Sequence, residues 1–495
     1  MVPSIQLFFW STLAVSLVAA SASAAGETTR RIERISISGN ERTRDEVIRR
    51  ELLFAVGDTL DPVIVAETER NLRRLLYLGD ASISITDRGS SGVDLTVVVQ
   101  DLYSRALSPL FSGETSELSY GLVALDYNLF GRGQLAQLQL NHHPVTGNRA
   151  SISHRLPRLT DAHLALASDL TIASEGHDVG LSLSRRYYSL ATRWSYGAAL
   201  SSHENISRLY SGRSLVARYR SSSERGSAWI EHSASRGEYK LRTSLSMAVS
   251  DRSFESTQGF TYAPTARRRV LTSVGITLWQ PRYRRARYVQ QLGRLEDLQV
   301  GSWLTLRAGL SHRSLGSDSN FPVFSASLVP RLVVDRSTFI FTSFSISSRL
   351  DDGRYQNLLT SAQLRAYHRV RDINSMALRF RFDTINRPEN AAQFLLGVDR
   401  GLRGYQPRSL DGNRRFILNL EARPTFVARP NYVLAAAVFL DAGAAWSAPA
   451  KADPSVAVGG GARIGLPRIY STPVIRVDVA KGQVWQLSAA VGQYF

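Results

Sequence analysis

From about residue 103 to 495 the chain repeats one pattern: short segments alternate apolar and polar residues, divided by clusters of Gly, Asn, Asp, Ser and Arg. Period-two alternation puts apolar side chains on one face of a strand and polar ones on the other. Leu378, Phe380 and Phe382 oppose Arg379, Arg381 and Asp383, and Phe416, Leu418 and Leu420 oppose Arg415, Asn419 and Glu421. Ile475, Val477 and Val479 oppose Arg476 and Asp478. A different texture precedes these strands. Ile35 and Ile37 alternate up to a break at Gly39-Asn40, and Thr43 is placed to cap a helix carrying Val47, Ile48 and Leu52. Asp61-Pro62 opens a second helix with the stripe Val65, Leu72, Leu75 and Leu76. Alternation at Ala81, Ile83 and Ile85, a turn at Gly89 to Gly92, and alternation from Val93 to Val99 close the unit. The order predicts a small β-α-α-β-β domain over residues 31–102.

An apolar run from Leu7 to Ala20 followed by Ala22-Ser23-Ala24 predicts a removable export signal over residues 1–24. The run is short for a membrane span, and no later segment reaches spanning-helix length without charges. In lipid every backbone polar group must be bonded internally, so an exported chain of alternating strands is expected to close into a transmembrane β-barrel over residues 103–495. At about 24 residues per strand and connection, that length holds roughly 16 antiparallel strands.

Composition changes the picture in two ways. With no cysteine, a disulfide framework is excluded, so closure and packing must stabilise the fold. The net charge of +18 comes almost wholly from arginine, since the lysines are Lys240, Lys451 and Lys481. Nucleic acid is not expected as a partner of an exported chain; a wet lumen or the phosphates of outer-membrane lipid and lipopolysaccharide fit the charge better. Arg267-Arg268-Arg269 and Arg284-Arg285 are read as loop or rim cations of that kind.

The densest constellation is the stretch Gln393 to Tyr405, which ends Gly401-Leu402-Arg403-Gly404-Tyr405 in a turn-rich segment between two strands. Glu421 and Asp441 follow on the polar sides of nearby strands. An arginine flanked by glycines, with two carboxylates close by, suggests a loop folded back into a barrel and tied to its inner wall. No enzyme constellation appears: there is no Gly-x-Ser-x-Gly, and His142-His143 lacks the spacing and carboxylate partners of a triad or metal site. Neither a cofactor nor a metal site is predicted.

Ile35 to Asn40, Gly57-Asp58 and the valine-rich last strand of the small domain resemble a POTRA (polypeptide-transport-associated) domain, of which there is room for one. Asp126 to Gly133, the loop ending Arg403-Gly404-Tyr405, Phe439 to Gly443 and the terminal Val491-Gly492-Gln493-Tyr494-Phe495 resemble the bacterial surface-antigen superfamily of outer-membrane insertases and translocases (BamA/TamA-like). The resemblance implies that Arg403 is bonded in the lumen to Asp441 with Glu421 as second acceptor, that Gly401 and Gly404 permit a tight backbone course, and that Tyr405 packs against the wall. It implies that Val491, Gly492 and Phe495 belong to a terminal strand signal for barrel assembly. It places the protein in the Gram-negative outer membrane with its POTRA domain in the periplasm, handling unfolded outer-membrane or secreted client proteins, with accessory partners through that domain. The activity implied is assisted insertion or translocation through a barrel with a lateral seam. A dedicated two-partner secretion transporter and a passive pore or structural barrel stand as alternatives.

Overall fold

The computed structural model describes residues 30–89, 92–114, 117–159, 162–468 and 474–495; the expected export signal lies outside them. The N-terminal domain runs β1 (Arg31–Ser38), α1 (Asp45–Arg49), α2 (Pro62–Arg73), β2 (Leu78–Asp87) and β3 (Gly92–Asp101). Its sheet order is β1-β3-β2, with β1 parallel and β2 antiparallel to the central β3. Ile32, Leu95 and Val97 of the sheet share one core with Val47, Ile48 and Leu72 of the helices. Asp61 caps α2 as the sequence suggests, its Oδ1 accepting from the Val63 amide at 2.7 Å. Thr43 does not cap α1. Arg44 holds that position without a side-chain bond, because the Thr43 hydroxyl is taken by Asp101 at 2.5 Å.

The remaining strands close into one antiparallel barrel from Arg105–Glu114 to Trp485–Val491. Among the described residues twenty-two segments make twenty staves, because Pro330 and Pro424 each interrupt a single strand. Proline has no N–H for the ladder, but both carbonyls still accept, from Thr342 and Ala436. The count exceeds the expected sixteen or so because connections are short. Ser174-Glu175, Gly212-Arg213, Gly237-Glu238 and Asp352-Gly353 turn whole hairpins with two residues each. Strands Trp194–Ser211, Ser214–Arg236 and Tyr239–Ser256 have 18, 23 and 18 residues, far more than the roughly 10 a tilted membrane strand needs. Leu200, Ile230, Leu245, Val274, Ile276, Phe380 and Val438 lie exposed on the outer face, where lipid takes the place of water. Arg403, Glu421, Asp441 and Asp478 are buried on the other.

The barrel end beside the N-terminal domain holds an inserted hairpin. The connection between strands Arg267–Trp279 and Trp303–Ser311 forms a hairpin, Tyr283–Ala286 with Glu296–Gln299, that folds into the barrel mouth. Its Ala286, Val289 and Leu298 pack on the wall residues Phe339, Phe341, Tyr367 and Ala377, and its Tyr288 and Leu292 on Val433, Ala435 and Val474. From outside, α2 grips it. Arg73 makes a bidentate pair with Asp297 at 2.8 and 3.0 Å, Arg70 lies 4.3 Å over the Tyr283 ring, and Glu69 meets Arg285 at 2.9 Å. Arg285 is therefore an interdomain contact and not a lipid-facing rim cation. On the first periplasmic turn, Asn128 donates to Thr43 at 2.8 Å and the Arg44 amide to Gly131. Gly131 sits at φ 73°, and a Cβ there would lie 2.5 Å from the Arg42 carbonyl oxygen, so glycine lets the turn reach the domain.

Burial pushes the Glu296 carboxyl up to about 7, against the lowering pull of the Val289, Gln291 and Gln290 amides and of Arg423. A carboxyl raised above its ordinary 4.5 stabilises its seat below that value and loses the contribution as pH climbs through about 7. Amide exchange across residues 283–299, corrected for intrinsic pH effects, should therefore accelerate about tenfold or more from pH 5 to pH 8, each pKa unit being about 1.4 kcal/mol. Glu296→Gln should flatten the response; a wild-type profile already flat contradicts the assignment.

Candidate functional site: the inward loop, its luminal anchor and the seam

The segment from Arg387 to Asn413 leaves strand Asn374–Asn386 at the extracellular end, turns back into the lumen, and returns to strand Arg414–Arg423. Gly401 at φ 114° and Gly404 at φ 77° take the left-handed backbone, which glycine adopts without steric cost. A Cβ on Gly404 would sit 2.6 Å from the Gly482 amide nitrogen, so the loop lies directly on the turn beside the last strand. Side chains complete the docking. Gln486 accepts from the Gly404 amide at 2.9 Å and donates to the Tyr405 carbonyl at 3.1 Å, and the Tyr405 hydroxyl donates to the Val456 carbonyl at 3.3 Å. Leu396, Leu402 and Ile417 form a fully buried apolar patch beneath.

Arg403 has no solvent exposure. Its Nε and Nη2 donate to the two oxygens of Asp441 at 2.7 and 2.9 Å, and its own amide donates to Oδ2 at 3.2 Å. Nη1 reaches Glu421 at 3.2 Å and Asp478 at 3.4 Å. The guanidinium lies between two rings, 3.3 Å from the Phe439 centroid and 4.0 Å from that of Tyr494. Asn419 joins the loop to the same acceptor, donating to the Gly401 carbonyl at 2.9 Å and to Asp441 at 2.8 Å. The carboxylates are shared: Glu421 also pairs with Arg423 at 2.9 Å, and Asp478 with Arg463 at 2.6 Å and Arg476 at 2.8 Å. Charges taken out of water this completely need partners of opposite sign, and here the signs interleave across four strands, although the Nε atoms of Arg463 and Arg476 stay without an acceptor.

Arg403, Asp441, Glu421, Gly401, Gly404 and Tyr405 thus converge, whereas Asp478, Arg463, Asn419, Gln486, Phe439 and Tyr494 join them without having been singled out from the sequence. Asp478, Asn419 and Gln486 carried a usable signal, since all three fall on the polar side of an alternating strand; Phe439 and Tyr494 lay inside quoted motifs, but nothing local pointed either of them at Arg403. Arg267 and Arg269, read as loop or rim cations meeting lipid phosphates or solvent, hold Glu389 at the base of the loop at 2.9 and 2.6 Å.

Beside this anchor lies the join between the first and last strands. Among the described residues they pair at three positions, Ser488 with Glu114, Ala489 with Gly113 and Ala490 with Ser112, against seven between the last strand and its other neighbour. The last strand ends at Val491, so the expectation of a strand running to Phe495 is corrected. Gly492, at φ 107°, turns the chain off the sheet. Tyr494 then lies under Arg403 with its hydroxyl on the Val398 carbonyl at 3.3 Å, and Phe495 packs on the hairpin cluster of the mouth. Its departure leaves the outer edge of Arg105–Phe111 without a strand partner among the described residues, with Leu107 69 % exposed there.

Residues 30–101 match the family model for POTRA, described as a surface antigen variable number repeat. A stretch of 152 residues, 30 % of the chain, is 30 % identical to an outer membrane protein assembly factor BamA of Nitratidesulfovibrio vulgaris. Another of 142 residues, 28 % of the chain, is 28 % identical to the protein of that name in Neorickettsia risticii. The chain spans 19 % of the length of each of these relatives. Among solved structures, BamA from Haemophilus ducreyi lacking POTRA domains 1–3 aligns with 93 % of this chain and 84 % of its own at 12 % identity and a TM-score of 0.41. CdiB from Acinetobacter baumannii aligns over 94 % and 74 % at 13 % identity and a TM-score of 0.44.

Arg403→Lys retains the charge but loses the planar fork on Asp441, and is expected to cost about 1.5–3 kcal/mol, the worth of hydrogen bonds to a charged group. Asp441→Ala leaves a buried guanidinium short of its main acceptor and should cost about 3–5 kcal/mol. Both are read from the temperature at which the folded barrel loses its fast electrophoretic migration. Wild-type behaviour of Arg403→Lys would refute a stabilising role for the fork.

Proposed function

We propose that the chain is a β-barrel of the surface-antigen superfamily, seated in the outer membrane with a POTRA domain in the periplasm, and that it assists other proteins to insert into or cross that membrane. The observation that carries this reading is the unpartnered edge of Arg105–Phe111 at the seam. A strand edge with free N–H and C=O groups templates an incoming strand, and in a lipid setting those groups gain much by being paired. Pro109 removes one donor from that edge, which weakens closure against the protein's own last strand. In the periplasm β2 forms an edge of the POTRA sheet, where an unfolded client can add as a further strand beyond Ala81 and Ile83, whose backbone groups are held by Arg73 and Glu69.

The inward loop gives the seam a firm back wall, because Arg403 ties it to the strands that lead up to the closing pair. The hairpin in the periplasmic mouth opposes free passage through the lumen, which disfavours a passive pore. Its hold depends on Arg73 and Asp297, whose side chains are 5 % and 12 % exposed. Breaking that pair by Asp297→Ala should weaken the hairpin's seat by about 3 kcal/mol and raise single-channel conductance in planar bilayers; unchanged conductance would show that the hairpin does not limit the path.

The functional test is a photo-crosslinking residue at Leu107, with the captured species identified in cells. Terminal strands of other outer-membrane barrels are expected for an insertase, and a single exported passenger for a two-partner transporter. Crosslinks to the protein's own last strand alone would defeat the proposal and favour a structural barrel.

A further inference from the structure

Between the inward loop, strands Asn374–Asn386 and Arg414–Arg423, and the last strand lies a cavity of about 500 Å³. Six arginines line it, Arg379, Arg381, Arg400, Arg408, Arg415 and Arg476, against two carboxylates, Glu117 and Asp399. The remaining countercharge is divided. Asp383 lies 2.7 Å from both Arg381 and Arg415, and Asp478, which meets Arg476 at 2.8 Å, is already engaged with Arg463 and Arg403. Arg379 has no ion-pair or hydrogen-bond partner among the described residues, and the Nε atoms of Arg379 and Arg476 are buried without an acceptor. Buried donors left unmade cost about 1–3 kcal/mol each, more when charged, so the protein alone does not complete this wall.

We infer that the cavity is a binding site for a phosphate-bearing anion of two or more charges. Guanidinium forks match phosphate oxygens two at a time, and a multivalent anion settles several like charges at once where single carboxylates cannot. Asp399 and Glu117 do not oppose this, since each is occupied, by Arg400 and Arg408 respectively. Ser119, Ser488 and Tyr494 also line the space. Ser488, Ala489 and Ala490 form part of the wall and are the residues of the short seam pairing. A phosphate could therefore arrive free from solution or as the head of a lipid whose chains stay in the bilayer. The site rests on the arginine arrangement and is independent of whether the barrel handles client proteins.

The test uses the full chain in phosphatidylcholine nanodiscs. Pyrophosphate is titrated calorimetrically, and phosphatidic acid is doped into parallel discs and its retention read by native mass spectrometry after detergent exchange. Binding of at least one probe is expected, with Arg379→Gln weakening it about tenfold, the effect of removing a charge-assisted contact, and Arg379→Lys weakening it less. Arg400→Gln, on the more exposed side of the loop, provides a second variant should Arg379→Gln fail to fold, and should also weaken binding. Pyrophosphate binding assigns a soluble anion as ligand, whereas retention of phosphatidic acid alone assigns a lipid headgroup. Failure of the wild type to bind either probe, or unchanged binding in folded Gln variants, overturns the inference.

Discussion

Inside a bilayer a backbone N–H or C=O left without a partner is costly, and that constraint organises the barrel. Alternating strands meet it by closing into a ring, which turns every second side chain toward lipid and every other one toward the lumen. The closure is uneven. Around most of the ring the hairpins pair over long stretches, with eighteen residue pairs between Trp194–Ser211 and Ser214–Arg236, while the join of first and last strands is short. Among the described residues, the pairing is thus short where Gly492 leads the chain inward.

A lumen that must hold many arginines needs countercharge, and the Arg403 network supplies it in one place. Arg403, Arg423 and Arg463 interleave with Asp441, Glu421 and Asp478, all essentially without exposure. The gain over separate surface pairs lies in preorganisation. Each carboxylate is held by its strand and shared with other arginines, so the pairing with Arg403 orders few side chains beyond its own. The same guanidinium covers Tyr494, so the inward loop and the inward C-terminus are held by one group.

Contacts run without a break from the periplasmic domain to the seam. Arg73 on α2 holds Asp297 of the mouth hairpin, Leu298 beside it packs in the cluster that receives Phe495, and Phe495 follows the residue that lies under Arg403. The Arg423 guanidinium adds a second link at the far end of this path, donating to Glu421 at 2.9 Å and to the Phe495 carbonyl at 3.4 Å. A shift of the POTRA domain thus has a packed route toward the strand that closes the barrel.

The alternation of residues determined the barrel class, the inward placement of Arg379, Arg381, Asp383, Glu421 and Asp441, and the order of the small domain. These are local properties, since period two decides the face of a strand and Asp61-Pro62 starts a helix by its own chemistry. Only the tertiary structure decided the rest. The number of staves depended on turn lengths that alternation does not count, and Thr43 turned from α1 because Asp101, distant in sequence, outcompeted the helix for its hydroxyl. The hairpin at residues 283–299 reads as a polar connection until the barrel wall presents Phe339, Phe341 and Tyr367 to its few apolar residues. Asp478 and Tyr494 joined Arg403, and Phe495 left the sheet, because ring closure and one left-handed glycine bring together segments that no local pattern relates.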